Sequence, residues 1–262
     1  MRKIFFALSA VLFSFSTQAS NNAFVAKENS KIVKQEGKCD LRHSPFSTFK
    51  TPLALMGFDS GILTNPLAPL VEFSPEIKKN IGPWYMPEKY PGMVFWGRAQ
   101  TPASWIKYSV VWYSHYISQK LGMEKFQHYV NAFDYGNKDV SGDSQKKDGL
   151  LTSWIQSSLE ISPLEQVDFI EKLSTLNLTI SKQAQEHTKK IIELENIGDD
   201  WKLYGKTGGS KKQGWFVGWI EKGNRIISFT QYIEQSEDSL VSGGRVAKEI
   251  AKDNLISLML PL

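Results

Sequence analysis

The sequence predicts an α/β protein of the α+β type, with strands gathered toward the two ends of the chain and helices in its middle. Three observations carry this. Between Ala23 and Lys34, apolar Ala23, Val25, Ile32 and Val33 flank a turn at Glu28-Asn29-Ser30, the pattern of two short strands. From Ser104 to Gly122, and again from Pro163 to Leu173, apolar residues recur at helical spacing. After Gly198 the runs Trp201 to Thr207, Trp215 to Ile220 and Arg225 to Tyr232 are short, aromatic and β-branched. They are parted by Gly208-Gly209 and Gly223-Asn224, as hairpin strands are.

Ahead of the first strand, Arg2 and Lys3 precede an uncharged run from Ile4 to Phe15 and small or polar residues through Thr17-Gln18-Ala19. This is a secretory signal with a cut after Ala19, so residues 1–19 are expected to leave and the protein to be exported. The apolar run is short for a membrane span, and Cys39, the single cysteine, lies too far downstream for a lipid anchor. Stable membrane association is not expected. One cysteine also forbids an internal disulfide; Cys39 reads as a packed thiol, and the core must supply the stability. The remaining chain suits one large domain or two interleaved ones.

Next comes Ser44-Pro45-Phe46-Ser47, feeding an almost wholly apolar stretch to Phe58. It predicts a buried helix beginning near Ser47, with Pro52 tolerated in the first turn. Residues from about Ser60 to Gln100 are rich in Pro and Gly and read as loops with short helices. Leu150 to Leu159 is a shorter helical candidate, and Val241 to Leu258 predicts a closing helix.

Charge and histidine content exclude other classes. The formal net charge is +4, and once Arg2 and Lys3 are removed the basic and acidic residues nearly balance, so no nucleic-acid footprint is present. Lys146-Lys147 and Lys211-Lys212 sit among Gly, Ser, Asp and Gln as solvated loops. His43, His115, His128 and His187 show neither H-x-H nor H-E-x-x-H spacing, so no metal site is expected.

The chemistry concentrates at two places. In Ser47-Thr48-Phe49-Lys50 the first and fourth residues share a helix face, which lets an amine approach a hydroxyl and activate it without a histidine. Alone, S-x-x-K also describes a polar helix start with an exposed lysine. Lys206-Thr207-Gly208 lies on a predicted strand before a turn. A cation and a hydroxyl there suit a substrate carboxylate, and the glycine permits close approach to the backbone. The two motifs together, in this order, form the pairing of penicillin-recognising serine enzymes.

Ser47-Thr48-Phe49-Lys50, Ser109-Val110-Val111, Tyr135-Gly136-Asn137, Trp154 and Lys206-Thr207-Gly208 give the chain a resemblance to the class D, oxacillinase-type, serine β-lactamases over nearly its whole length. The resemblance implies an antiparallel sheet built from residues 20–58 and 198–262, with a helical domain, 59–197, inserted between. It implies hydrolysis of small-molecule β-lactams, conferring resistance, in the periplasm, with Ser47 as acylated nucleophile and Lys50 carboxylated by carbon dioxide or bicarbonate as base. Ser109 would relay a proton to the leaving nitrogen, and Lys206, Thr207 and Gly208 would bind the drug carboxylate. The N–H groups of Ser47 and Gly209 would form the oxyanion hole, while Val111 and Trp154 would support the carbamate. No other cofactor and no oligomeric state are implied.

Physical chemistry agrees with that assignment. An amine with a reference pKa of about 10.4 must be held neutral to react with carbon dioxide, which an apolar setting achieves; Phe49, Leu53, Val111 and Ile155 are available. The resulting anion needs a donor, and the indole N–H of Trp154 donates without accepting. The E-x-x-L-N loop with which class A enzymes deacylate is missing: Leu176-Asn177 has Leu173 where the glutamate would stand. Deacylation therefore falls to Lys50 or does not occur. Arg245, at the head of the last helix, reads either as a ligand of the substrate carboxylate or as a solvated arginine. Drug-sensing receptors and D,D-peptidases share parts of the pattern, but the former follow transmembrane segments and the latter lack Y-G-N and the tryptophan.

Overall fold

A computed structural model describes residues 21–81, 86–88 and 91–259; the signal segment 1–19 lies outside them. Ala23–Glu28 (β1) turns through Asn29 and Ser30, both at positive φ, into Lys31–Gly37 (β2). At the other end, Trp201–Gly209 (β4), Gln213–Lys222 (β5) and Arg225–Glu234 (β6) form consecutive hairpins. The two ends meet where β1 pairs antiparallel with β6, Ala23 opposite Tyr232, so the first and last strands of the chain share one sheet.

That sheet has six strands in the order β2-β1-β6-β5-β4-β3. Its sixth member, Glu193–Ile197 (β3), falls at the end of the span 59–197 that the resemblance implies to be a helical domain. β3 is a solvent-exposed edge, and its residues Glu-Leu-Glu-Asn-Ile show little β character. It is held by the ladder to β4 rather than by burial.

Alternation along the strands gives the sheet two apolar faces. On one, Phe24, Leu203, Phe216, Ile227 and Phe229 pack with Ala247, Ala251 and Leu255 of the closing helix Gly243–Ile256 (α8). On the other, Val25, Tyr204, Trp215, Val217, Trp219 and Tyr232 join the core of the helical body. Pro163–Ser174 (α6) crosses that face against β1, β5 and β6. It starts with a capping box between Ser162 and Glu165 and a proline at N1. Cys39 is buried, its thiol donating to the carbonyls of Phe24 and Glu36.

The predicted buried helix is Lys50–Asp59 (α1), preceded by a 3-10 turn over Phe46–Phe49, which leaves Pro52 in the first turn as expected. A short helix, Pro75–Ile81 (α2), follows in the loop-rich region. The single helix expected from Ser104 to Gly122 is two: Pro102–Tyr108 (α3) and Val111–Ala132 (α4). Ser109 between them is left-handed, at φ 55° and ψ 40°. Both pieces bury apolar residues, so the apolar spacing runs through the break and does not reveal it. α4 continues past Gly122, whose φ of 72° and ψ of 162° interrupt it locally.

Leu150 to Leu159 yields only Gly149–Thr152 (α5), because the backbone after it is drawn into contacts with the turn before Ser47. Lys182–Ile191 (α7) has no strong apolar signal; it buries Ala184, Gln185, Thr188 and Ile191 and exposes the rest of a polar sequence. Together α1, α3 to α5 and α7 form the body beneath the sheet.

Candidate active site

The turn that presents Ser47 is strained and tightly held. Phe46 sits at φ +50°, a region that costs a bulky residue energy and persists only when neighbours enforce it. Those neighbours are identifiable. The Phe46 N–H and the Ser44 hydroxyl both donate to the Trp154 carbonyl, at 2.9 and 3.0 Å. The Trp215 indole donates to the Ser44 carbonyl at 2.9 Å. On the far side, Thr48 Oγ1 donates to the Pro45 carbonyl and accepts from Gln166 Nε2, and Tyr135 Oη donates in turn to Gln166 Oε1. The Tyr135-Gly136-Asn137 triplet thus acts structurally. Tyr135 braces Thr48 through Gln166, and Gly136 lies so close to Glu160 that a Cβ would stand 2.0 Å from its carbonyl oxygen.

Lys50 follows one turn later, and its Nζ lies 2.9 Å from Ser47 Oγ, as the S-x-x-K spacing predicts. Lys50 is 1% exposed, whereas Ser47 stays half-buried and accessible. Phe49, Leu53, Val111 and Trp154 belong to the same buried apolar cluster, with Ile155 packed against it. Burial, aided by the charge of Lys206, holds the Lys50 amine well below the ordinary lysine range. This setting favours the neutral amine, the form that a base requires. Trp154 stacks on Phe49 at 5.3 Å, and among the described residues nothing accepts from its indole N–H.

The left-handed break at Ser109 exposes the hydroxyl that an unbroken helix would have directed elsewhere. Lys206 Nζ donates to Ser109 Oγ at 3.1 Å and to the Thr207 carbonyl at 2.9 Å. Burial pushes the Lys206 amine down to about 8, so it is mostly charged at neutral pH. Ser47, Lys50, Ser109 and Lys206 come together as one site.

β4 is pressed against the nucleophile turn. A Cβ on Gly208 would lie 2.7 Å from the Thr48 nitrogen and 2.9 Å from the Ser47 nitrogen, so only glycine fits. The Ser47 N–H has no acceptor among the described residues, and Gly209 follows at φ +144°. On the other side of β4, Gly244 brings the first turn of α8 against Thr207 and the Gly208 carbonyl. This places Arg245 in a cleft of about 630 Å³ that Lys206, Thr207, Phe216, Lys107 and Lys190 also line. Arg245 lines the cleft with its side chain exposed, a placement that suits either of its two readings.

Sequence reasoning missed Gln166 and His115. Gln166 is 1% exposed on α6 beside Val167 and Ile170; a polar residue at an apolar helical position was the available signal. His115 contacts the segment that carries Trp154, and no local pattern marks it.

An accessible serine paired with a buried lysine, beneath a Lys-Thr-Gly strand in an antiparallel sheet, defines a serine enzyme of the penicillin-recognising kind. The penicillin binding protein transpeptidase domain matches residues 10–255 of the chain. The β-lactamase OXA-9 of Klebsiella pneumoniae is 38% identical over 227 residues, covering 82% of this chain and 79% of its own length. The β-lactamase OXA-1 of Escherichia coli is 35% identical over 250 residues, covering 92% and 81%. The crystal structure of the class D β-lactamase OXA-427 superposes with a TM-score of 0.82 at 35% identity, over 91% of this chain and 98% of that one. The chain belongs to the class D serine β-lactamases.

The fit of β4 against the turn yields a prediction. Gly208→Ala should displace the Ser47 backbone and slow covalent labelling by a fluorescent penicillin about 100-fold, the order expected for a misplacement of about 1 Å. An unchanged labelling rate in the folded variant would contradict the packing described.

Proposed function

We propose that the protein is exported, by way of the signal-like residues 1–19, to the periplasm and there hydrolyses β-lactams through an acyl-enzyme on Ser47, conferring resistance. The observation that carries this reading is the buried Lys50 amine 2.9 Å from Ser47 Oγ. Among the described residues, no helix is long and apolar enough to cross a membrane.

In this reading the drug carboxylate lies against Lys206 and Thr207, with Arg245 at the outer edge. The lactam carbonyl oxygen points to the N–H groups of Ser47 and Gly209, donors aimed where negative charge develops. Lys50 takes the Ser47 proton as Oγ attacks the carbonyl carbon. The lactam C–N bond then breaks as Ser109, hydrogen-bonded to Lys206, gives its proton to the leaving nitrogen and is reprotonated with the proton that Lys50 took from Ser47, which returns Lys50 to its base form. For deacylation Lys50 removes a proton from water as its oxygen attacks the ester, and Ser47 leaves reprotonated. The net change is addition of one water across the lactam C–N bond.

The site fits carboxylation of Lys50. A neutral amine is the reactive form toward carbon dioxide, the surrounding walls are apolar, and the Trp154 indole N–H is unused by the described residues. Carboxylation would supply an anionic oxygen base at the Lys50 nitrogen. Trp154 is the residue that would hold it, and Val111 contributes to the apolar wall.

Purified mature protein, incubated with oxacillin and followed by hydrolysis and intact mass, should turn over many times, faster with bicarbonate than without. Ser47→Ala should lose the acyl-enzyme mass entirely. Stoichiometric acylation without turnover would contradict hydrolysis and favour a drug sensor; labelling of the Ser47→Ala protein would contradict the nucleophile.

Lys206 gives the reaction a pH limb. The amine is charged below its pKa and neutral above it, so carboxylate binding is present below pH 8 and lost above it. KM for benzylpenicillin should stay level to about pH 8 and then rise, and Lys206→Arg, always charged, should abolish the rise. A level KM to pH 10 in the native protein would contradict the role of Lys206.

A further inference from the structure

The segment from Leu150 to Gln156 is a crosspiece between α4 and the nucleophile turn. At its far end the Trp154 carbonyl accepts from Phe46 N and Ser44 Oγ, and the Gln156 N–H donates to Ser44 Oγ at 2.8 Å. At its near end two side chains three residues apart on α4 grip consecutive carbonyls. His115 Nε2 lies 3.0 Å from the Leu151 carbonyl oxygen, and the Ser118 hydroxyl donates to the Leu150 carbonyl. A carbonyl only accepts, so His115 Nε2 carries the proton and donates.

At the carbonyl end of α5, the Thr152 and Ser153 carbonyls accept from the Ile155 and Leu159 N–H groups, whereas those of Leu150 and Leu151 are met by the α4 side chains. The helix is a single turn, Gly149–Thr152, too short to be stable by itself. The backbone then bends through Trp154 to Gln156, which lies at φ +51°. His115 is also close to the indole, its ring centroid 6.3 Å from that of Trp154, and burial lowers its pKa to about 4. It is thus a neutral, fixed donor across the working pH range.

We propose that His115 is a positioning residue for the carboxylated form of Lys50. Through its bond to the Leu151 carbonyl, seconded by Ser118, it fixes the crosspiece and so sets where the Trp154 indole N–H points. It touches neither substrate nor Ser47. The inference rests on the carboxylated-lysine reading above and adds to it the residue that orients the carbamate's donor.

The test uses ¹³C-bicarbonate titrations of the full mature protein, with the labelled lysine carbamate observed by NMR and folding followed by circular dichroism melting. His115→Phe keeps a ring but removes the donor, and should raise the bicarbonate concentration for half-occupancy about tenfold, the size typical of losing a supporting partner behind a bound group. His115→Gln retains an N–H donor and should stay within about twofold of the native protein by the same reasoning. Ser118→Ala should shift occupancy in the same direction as His115→Phe, and it serves as the test if the latter does not fold. Equal occupancy in the native, His115→Phe and Ser118→Ala proteins would overturn this inference while leaving carboxylation intact. Equal weakening in folded His115→Phe and His115→Gln would overturn it too, since the donor would then be irrelevant. No carbamate signal in the native protein would instead overturn the reading of Lys50 itself.

Discussion

Placing a lysine amine in an apolar interior, within hydrogen-bond reach of a serine hydroxyl, is the constraint on which the rest of this structure depends. An ammonium group there would lose its hydration without gaining a carboxylate partner, and among the described residues no acidic group is hydrogen-bonded to Lys50. The interior therefore stabilises the neutral form, and neutrality converts an ordinarily protonated residue into a base. Maintaining this needs walls that exclude water on all sides but one, which explains why Phe49, Leu53 and Trp154 are fully buried beside the nucleophile turn. The open side is where Ser47 meets solvent.

A second lysine works under the opposite requirement, in the same site. Lys206 must keep its proton to recognise a carboxylate, and it is buried too, but its nitrogen has two oxygen acceptors, Ser109 Oγ and the Thr207 carbonyl. Burial lowers Lys206 only to about 8, whereas Lys50 is held well below the ordinary lysine range. The charge retained by Lys206 lowers Lys50 in its turn. Two residues of one type thus acquire different roles from their surroundings alone.

The elements that meet at this site were legible to different degrees. The S-x-x-K and K-T-G motifs encode local spacing, so Ser47, Lys50 and Lys206 could be read directly, and alternation of apolar residues exposed five of the six strands. Features set by tertiary contact were not readable. The break at Ser109 leaves the apolar period of α3 and α4 undisturbed. β3 is a strand because β4 offers it a ladder, and α7 is a helix whose buried face is partly Gln and Thr. The positive φ of Phe46 is imposed by bonds from residues more than 100 positions away, Trp154 and Trp215 among them, so no window around Ser47 contains the reason for it. His115 belongs to the same class, since its partner carbonyl lies on another element.

The central claim, that Lys50 is uncharged in the resting enzyme, is open to direct measurement. NMR of the lysine side-chain nitrogens in ¹⁵N-labelled protein, titrated in buffer depleted of carbon dioxide and assigned with Lys50→Ala, would report its charge. The account predicts a Lys50 signal that turns to the amine form at a lower pH than those of the surface lysines. A Lys50 signal that stays ammonium up to pH 10 would contradict the account, because a cation at that position can neither take the Ser47 proton nor react with carbon dioxide.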